Sequence, residues 1–316
     1  MRTFFAVMAA AAITAPSIVE YQIPRKNAFP HDPAVGKDGI VWYTDQVNSY
    51  IGRLDPATGK ITDFPCPTPN SGPHGITVAS DGGVWYTANR VGKLGRLDPA
   101  TGQIKEYDLP KEADDPHTPL IVNGKVWFTV QQADRYGVLD PATGKATIWP
   151  VPVKNALPYG IAEAPDGDLW VALFGTNQLG RVTQSTGAMK LYPLPNPGAR
   201  PRRIAVDAAG QVWYTNYAQG ELGMLDPKTG QTKTWPAPDG KGSGPYGIAI
   251  APDGKIWYDE SGSSRVVAFD PKTGQSTTVD IPTKGAIVRN MEADSTRGRL
   301  WLALSGTGRI GRIDLR

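Results

Sequence analysis

The chain contains three histidines, and each directly follows a proline: His31, His74 and His117. They are evenly spaced, with 43 residues from the first to the second and again from the second to the third. Imidazole side chains serve as general acids, general bases and metal ligands near neutral pH. The equal spacing indicates that all three histidines occupy equivalent positions of an internal repeat and meet at one site.

Polar or aromatic side chains also occupy the equivalent position of the four later repeats: Tyr159, Arg202, Tyr246 and Arg289. Four interpretations are open for these seven residues. They form a metal or catalytic site, or a binding funnel in which the arginines hold an anion and the tyrosines stack on it. Alternatively, they are polar side chains that fill a water-filled channel and have only a structural role, or they were inherited from one ancestral repeat by duplication.

Carboxylates close to this ring in the sequence bear on the metal interpretation. Asp115 stands two residues before His117, and Asp45 and Glu260 each follow a repeated tryptophan by three residues. Hard divalent cations such as Mg²⁺ take oxygen ligands, so His74, Asp115 and His117 alone would be a thin set that waters or Gln131 would have to complete. The predicted substrate-binding residues are His31, Tyr159, Arg202, Tyr246, Arg289 and Glu260.

These side chains must be positioned by a repeat that runs through the whole chain. It is marked by a tryptophan every 42 to 44 residues: Trp42, Trp85, Trp127, Trp170, Trp213, Trp257 and Trp301. Each unit holds short stretches of alternating polarity separated by Asp-Gly and Asp-Pro-x-Thr-Gly turns, without helical periodicity. Seven units with four such strands predict an all-β, seven-bladed propeller of four-stranded antiparallel blades. The tryptophans are predicted to fill the space between blades.

The two ends of the chain complement each other. The seventh unit ends at Arg316, after its third strand, and the missing outer phrase stands at the start of the chain in residues 18–23. Pairing of this N-terminal strand with the last blade would close the ring and cover two open sheet edges. We predict a single propeller domain over residues 16–316.

Composition limits the possible partners. The chain has 316 residues, a formal charge of +3 and one cysteine, Cys66. So small and dispersed a charge argues against nucleic-acid binding, and a single thiol excludes an internal disulfide or a cysteine-based zinc cluster. No apolar stretch reaches the roughly 18 residues of a membrane span. We expect a monomer that binds a small molecule at the mouth of its central channel.

Three phrases of the repeat carry a family resemblance: Gly72-Pro73-His74-Gly75-Ile76, Asp81-Gly82-Gly83-Val84-Trp85-Tyr86-Thr87 and Ile51-Gly52-Arg53-Leu54-Asp55. They resemble the repeat of the virginiamycin B lyase (streptogramin B lyase) family, and the similarity extends over essentially the whole chain from Ile18. The resemblance implies a seven-bladed propeller that opens a cyclic depsipeptide by eliminating its ester linkage. It also implies Mg²⁺ as the essential cofactor.

The resemblance implies roles for individual residues. His74 matches the histidine of the family's Pro-His-Gly phrase, and Asp115 and His117 match the Glu-Pro-His phrase of the next blade. On that basis His117 would remove the proton, His74 would assist the departing oxygen and Asp115 would anchor the metal. The chain departs from the pattern at Val130, which replaces a further metal-binding glutamate. The alternative function is a non-catalytic propeller outside the cytoplasm that binds an anionic small molecule or a protein partner.

Residues 1–15 predict a cleaved export signal, because Arg2 precedes an uncharged, alanine-rich run over residues 4–15. We expect a periplasmic or secreted protein whose mature chain begins close to Ala15. N-terminal sequencing of protein recovered from the periplasm or medium of the native host checks this prediction. An intact Met1 on cytosolic protein would contradict it.

Overall fold

The structure, a computed structural model, describes residues 16–315, and the predicted export segment lies outside the described residues. Within them the chain forms 28 β-strands and two short 3-10 turns, Lys111–Ala113 and Ser305–Thr307. The strands group into seven antiparallel sheets of four. The predicted all-β, seven-bladed propeller is confirmed. No helix in this part of the chain has the length and apolar character needed to cross a membrane.

Six blades run from the axis of the ring outward in chain order, and the last blade takes its outermost strand from the start of the chain. The innermost strands are β2 (Pro30–Val35), β6 (Pro73–Val78), β10 (Pro116–Val122), β14 (Pro158–Glu163), β18 (Pro201–Val206), β22 (Pro245–Ile250) and β26 (Val288–Asp294). The second strands are β3 (Val41–Asp45), β7 (Val84–Ala88), β11 (Lys125–Val130), β15 (Leu169–Leu173), β19 (Val212–Asn216), β23 (Ile256–Glu260) and β27 (Arg299–Leu304).

The outer half of each blade carries more exposed side chains. The third strands are β4 (Tyr50–Leu54), β8 (Lys93–Leu97), β12 (Arg135–Asp140), β16 (Gln178–Val182), β20 (Glu221–Leu225), β24 (Arg265–Asp270) and β28 (Arg309–Asp314). The outermost strands are β5 (Ile61–Pro65), β9 (Ile104–Asp108), β13 (Lys145–Pro150), β17 (Met189–Pro193), β21 (Thr232–Pro236), β25 (Gln275–Asp280) and, in the last blade, β1 (Ile18–Gln22).

The N-terminal strand closes the ring as predicted. β1 pairs antiparallel with β28, from Ile18 opposite Ile313 to Gln22 opposite Arg309. The strand ends one residue earlier than the predicted phrase, and the backbone N–H of Ile23 donates to the carbonyl of Gly308 at 3.1 Å. Closure gives the last blade four strands, the same number as in each of the other six.

The repeated tryptophans pack between neighbouring blades. All seven are at most 4% exposed, and they belong to apolar clusters that join one blade to the next. A tyrosine beside the tryptophan explains the repeated glycine of the third strand. Tyr43 lies opposite Gly52, and a Cβ atom at Gly52 would stand 1.9 Å from the Tyr43 ring. Tyr86 opposite Gly95 and Tyr214 opposite Gly223 repeat this contact, so in these blades the aromatic ring requires the glycine.

Ring closure should depend on Ile23, which is 1% exposed and packs with Trp301 of the last blade and Tyr43 of the first. We expect Ile23→Ala to lower the free energy of unfolding by about 2–4 kcal/mol, because it leaves a cavity between these blades. Val19→Ala is the matched control, since Val19 is 39% exposed on the same terminal segment. It should change stability by less than about 0.5 kcal/mol. Urea unfolding checks both, and equal effects would contradict the assigned role of the closure.

Candidate functional site

The second residue of every innermost strand lines one cavity on the axis of the ring, which has a volume of about 250 Å³ and is called here the upper cavity. These residues are the seven that the repeat predicted: His31, His74, His117, Tyr159, Arg202, Tyr246 and Arg289. The remaining lining residues are Phe29, Gln46, Asn89 and Gln131. Equivalent positions of seven blades thus become neighbours at one level of the channel.

The three histidines form a continuous row along the wall of the upper cavity. The ring centroids of His31 and His74 are 3.7 Å apart, and so are those of His74 and His117. Tyr159 continues the row, with its ring centroid 4.0 Å from that of His117. The Tyr159 hydroxyl also contacts the hydroxyl of Tyr246 across the cavity.

Glycine and threonine permit this close approach of neighbouring innermost strands. Gly75 follows His74, and a Cβ atom there would lie 2.3 Å from Pro119 and 2.7 Å from the carbonyl of His117. Buried Thr44 links two blades: its hydroxyl accepts the backbone N–H of Asp32 at 3.1 Å and donates to the carbonyl of His74 at 2.7 Å. The same bridge to the next blade recurs at Thr87, Thr129 and Thr215.

The opposite wall of the upper cavity carries two guanidinium groups. The Arg202 guanidinium lies 3.9 Å from the ring centroid of Tyr246 and 4.6–4.9 Å from those of Tyr217, Phe174 and Tyr159. The Arg289 guanidinium lies 5.4 Å from the Tyr246 centroid. Neither arginine forms a salt bridge within residues 16–315, and no carboxylate lines this cavity. The upper cavity is therefore electropositive.

A buried ion pair lies directly beneath the row. Asp32 and Arg203 follow His31 and Arg202 in the chain, and Arg203 Nη2 donates to Asp32 Oδ1 at 2.7 Å. Asp32 Oδ1 also lies 2.8 Å from His31 Nδ1. Both charged residues line a second, lower cavity of about 200 Å³, which is polar and also holds Glu292. The ion pair thus separates the upper from the lower cavity.

The histidines are neutral in this environment. Burial holds the pKa of His31 well below its usual value, and the nearby guanidiniums of Arg203, Arg289 and Arg202 lower it further. Burial is also the main cause of the lowered pKa values of His74 and His117. Neutral imidazole has one ring nitrogen free to accept a proton or to bind a metal.

Two predicted site residues lie outside the upper cavity. Asp115 precedes strand β10, and its Oδ2 accepts the backbone N–H of Gln132 at 2.6 Å. Burial, with a contribution from neighbouring Asp114, raises the pKa of Asp115 to about 6. Glu260 is fully buried and its Oε1 accepts the backbone N–H of Asp239 at 2.8 Å. One oxygen of each carboxylate holds a backbone N–H of a loop, whereas the other, Asp115 Oδ1 or Glu260 Oε2, is buried without a hydrogen-bond partner in the described part of the chain.

The sequence alone assigned no role to Asp32 or to Arg203. A signal for both was present in the repeat. The residue after the ring position is glycine in three blades, Gly75, Gly160 and Gly247. Asp32 and Arg203 stand at this position in their own blades. There a charged side chain takes the space that glycine leaves to the neighbouring backbone. The bridging threonines had a signal as well, since each stands two residues after its tryptophan.

Comparisons with known proteins agree with this architecture. The sequence matches the virginiamycin B lyase family over residues 5–142 and 149–316. The structure is similar to selenomethionine-substituted virginiamycin B lyase from Staphylococcus aureus, at 26% identity and a TM-score of 0.88 over 96% of this chain and 100% of that one. None of the curated sequences compared with the chain matches it.

Two further solved structures define the range of the similarity. A catalytically inactive variant of the Staphylococcus aureus enzyme with quinupristin is 25% identical, with a TM-score of 0.88, and covers 96% of this chain and 100% of that one. Hydrazine synthase of Kuenenia stuttgartiensis shares the fold at 14% identity, with a TM-score of 0.79 over 92% of this chain and 97% of that one. The family match extends over nearly the whole sequence, and the chain belongs to the virginiamycin B lyase family.

Proposed function

We propose that the upper cavity binds a small molecule that carries a carboxylate or a similar anionic group. The observation that supports this proposal is the pair of unpaired guanidiniums, Arg202 and Arg289, in a cavity lined by no carboxylate. Guanidinium groups stay charged in proteins and bind carboxylates with two parallel hydrogen bonds. The rings of Phe29, Tyr159 and Tyr246 offer apolar surface beside them, so an aromatic acid such as benzoate is a suitable probe.

A second candidate function is elimination of an ester, which makes the protein a carbon–oxygen lyase resembling the streptogramin lyases. Family membership and the neutral imidazoles of His74 and His117 in the same cavity favour it. The solved relative with quinupristin suggests a cyclic depsipeptide as the substrate to test. Export, which the first 15 residues predict, would place either function in the periplasm or the medium.

The residues present do not fit the expected Mg²⁺ site. Mg²⁺ requires several oxygen ligands, whereas one Asp115 oxygen is bound to backbone and Val130 stands at the position of a further carboxylate. Among the described residues, one group of three potential ligands lies close together: His31, Asp32 and His74. Two imidazoles and a carboxylate already paired with a guanidinium do not suit a hard cation. The form of the elimination that we propose is therefore one that needs no Mg²⁺ and is carried by side chains of the protein.

In this reaction a neutral imidazole removes the proton on the carbon next to a carbonyl group. The electron pair forms a carbon–carbon double bond, the carbon–oxygen bond of the ester breaks, and the leaving group departs as a carboxylate. His117 is the proposed base and His74 the proposed partner of the departing oxygen. Arg202 and Arg289 would stabilise the negative charge that develops on oxygen. The imidazolium then gives its proton back to the departing carboxylate or to solvent, so neutral substrate and neutral product have the same atomic composition.

The binding proposal predicts that Arg202→Met with Arg289→Met weakens benzoate binding at least tenfold. A hydrogen bond to a charged group contributes about 1.5–3 kcal/mol, and about 1.4 kcal/mol corresponds to a factor of ten. Arg200→Met is the matched control, because Arg200 stacks 4.1 Å from the Phe174 ring centroid and does not line the cavity. It should change affinity by no more than about twofold. Titration calorimetry measures both, and equal binding by the double variant would refute the proposal.

The lyase proposal predicts a linear product of unchanged mass from a type B streptogramin. The reaction should run at the same rate with Mg²⁺ and with a chelator, and it should be lost in His74→Ala with His117→Ala. Mass spectrometry of the product checks this. A gain in mass of one water would indicate hydrolysis. A rate that depends on Mg²⁺ would refute the metal-free assignment. Activity in the double variant would show that these histidines are not the reacting groups. Absence of turnover would leave the binding function alone.

A further inference from the structure

The three histidines of the row differ in the partner of their Nδ1 atoms. His31 Nδ1 contacts a carboxylate, Oδ1 of Asp32 at 2.8 Å. His117 Nδ1 contacts a hydroxyl, Oγ1 of Thr118 at 3.0 Å. The buried Nδ1 of His74 has no hydrogen-bond partner in the described part of the chain. A carboxylate both orients an imidazole and stabilises its protonated form, so His31 is the histidine best placed to hold a proton.

The tautomer of His31 follows from Asp32. Asp32 is paired with the Arg203 guanidinium at 2.7 Å, and an ionised carboxylate can only accept hydrogen bonds. Nδ1 of His31 therefore carries the hydrogen, and Nε2 presents its lone pair. Because Asp32 borders the lower cavity while His31 lines the upper one, Nε2 faces the upper cavity.

The charges around His31 oppose its protonation when the cavity is empty of anions. Asp32 shares its one negative charge with Arg203, and within residues 16–315 no other carboxylate pairs with a histidine of the row. Burial and the three guanidiniums keep the pKa of His31 well below its usual value. The titratable and charged groups that face His31 or its carboxylate partner from the packed strands are Asp32, His74, His117, Arg202, Arg203, Tyr246, Arg289 and Glu292. A bound anion would supply the missing negative charge.

We propose that His31 takes up one proton from solvent when an anion binds in the upper cavity. This inference rests on the proposed anion site. The proton adds to Nε2, and the resulting imidazolium lies between the Asp32 carboxylate and the bound anion. Asp32 and Arg203 act as positioning residues, because they hold the imidazole in the tautomer that can accept this proton.

Proton uptake makes anion affinity depend on pH in a defined direction. A ligand that binds together with a proton binds more tightly as pH falls, by at most about tenfold per pH unit for one proton. Between pH 6 and 8 a carboxylate probe stays ionised, so the change in affinity reports on the protein. Benzoate affinity should therefore rise as pH falls across this range.

Titration calorimetry in buffers of different protonation enthalpy counts the protons that are taken up. For the full chain with benzoate at pH 7 we expect about 0.5–1 proton per ligand. In His31→Gln, which keeps a side chain able to donate to Asp32, uptake should fall below about 0.1. Arg200→Met is the control, since Arg200 stacks on the Phe174 ring and does not line the upper cavity. Its uptake should equal that of the unaltered protein.

A second readout uses the unaltered protein, so it does not depend on the folding of a variant. The chain has three histidines, and ¹⁵N-labelled histidine therefore gives three sets of ring signals. All three imidazole rings should be neutral in the absence of ligand. One of them, with its Nδ1–H hydrogen-bonded, should convert to imidazolium at saturating benzoate.

The outcomes separate this inference from the function on which it rests. Benzoate binding without proton uptake, or with undiminished uptake in His31→Gln, would overturn the proton linkage and leave the anion site standing. Three ring signals that stay neutral at saturation would do the same. If neither benzoate nor acetate binds the unaltered protein at millimolar concentration, the anion site itself is wrong and the inference falls with it.

Discussion

The close approach of neighbouring innermost strands determines what stands at the centre of this propeller. Seven strands converge on one axis, and polar backbone groups in such a buried place must find partners. Threonines such as Thr44 solve this by accepting an N–H from their own blade and donating to a carbonyl of the next. Glycines such as Gly75 remove the Cβ atoms that would keep the strands apart. The 3.7 Å spacing of the histidine row follows from that approach.

Charge is distributed unevenly around this axis, and the proposed chemistry depends on the imbalance. The buried Arg203 guanidinium is neutralised by Asp32, which lies in a different blade 171 residues away. Removing one partner of such a pair would leave a costly unpaired charge, so each residue requires the other. Arg202 and Arg289 have no such partner within residues 16–315 and face the upper cavity. An electropositive cavity beside neutral imidazoles favours an anionic ligand.

The repeat preserves the blade while the axial residues differ from blade to blade. Tryptophan, threonine and glycine recur because each fills the same space in successive sheets, and this accounts for the strong similarity in fold to the solved lyase. A fold by itself does not establish an activity. The carboxylates that would hold Mg²⁺ in the family pattern are replaced or turned toward backbone here, at Val130 and Asp115. Family membership therefore does not by itself assign the chemistry of this site.

The sequence by itself determined the number of blades, the closing strand and the seven axial positions, because a repeat of 42 to 44 residues places equivalent side chains at one radius and one height. It could not place Asp115 or Glu260. Their roles depend on whether a carboxylate turns toward the axis or toward a nearby backbone N–H. It also could not pair Asp32 with Arg203, since that contact joins blades on different sides of the channel. Only the closed ring brings side chains that are distant in sequence close enough together at the axis to form an ion pair.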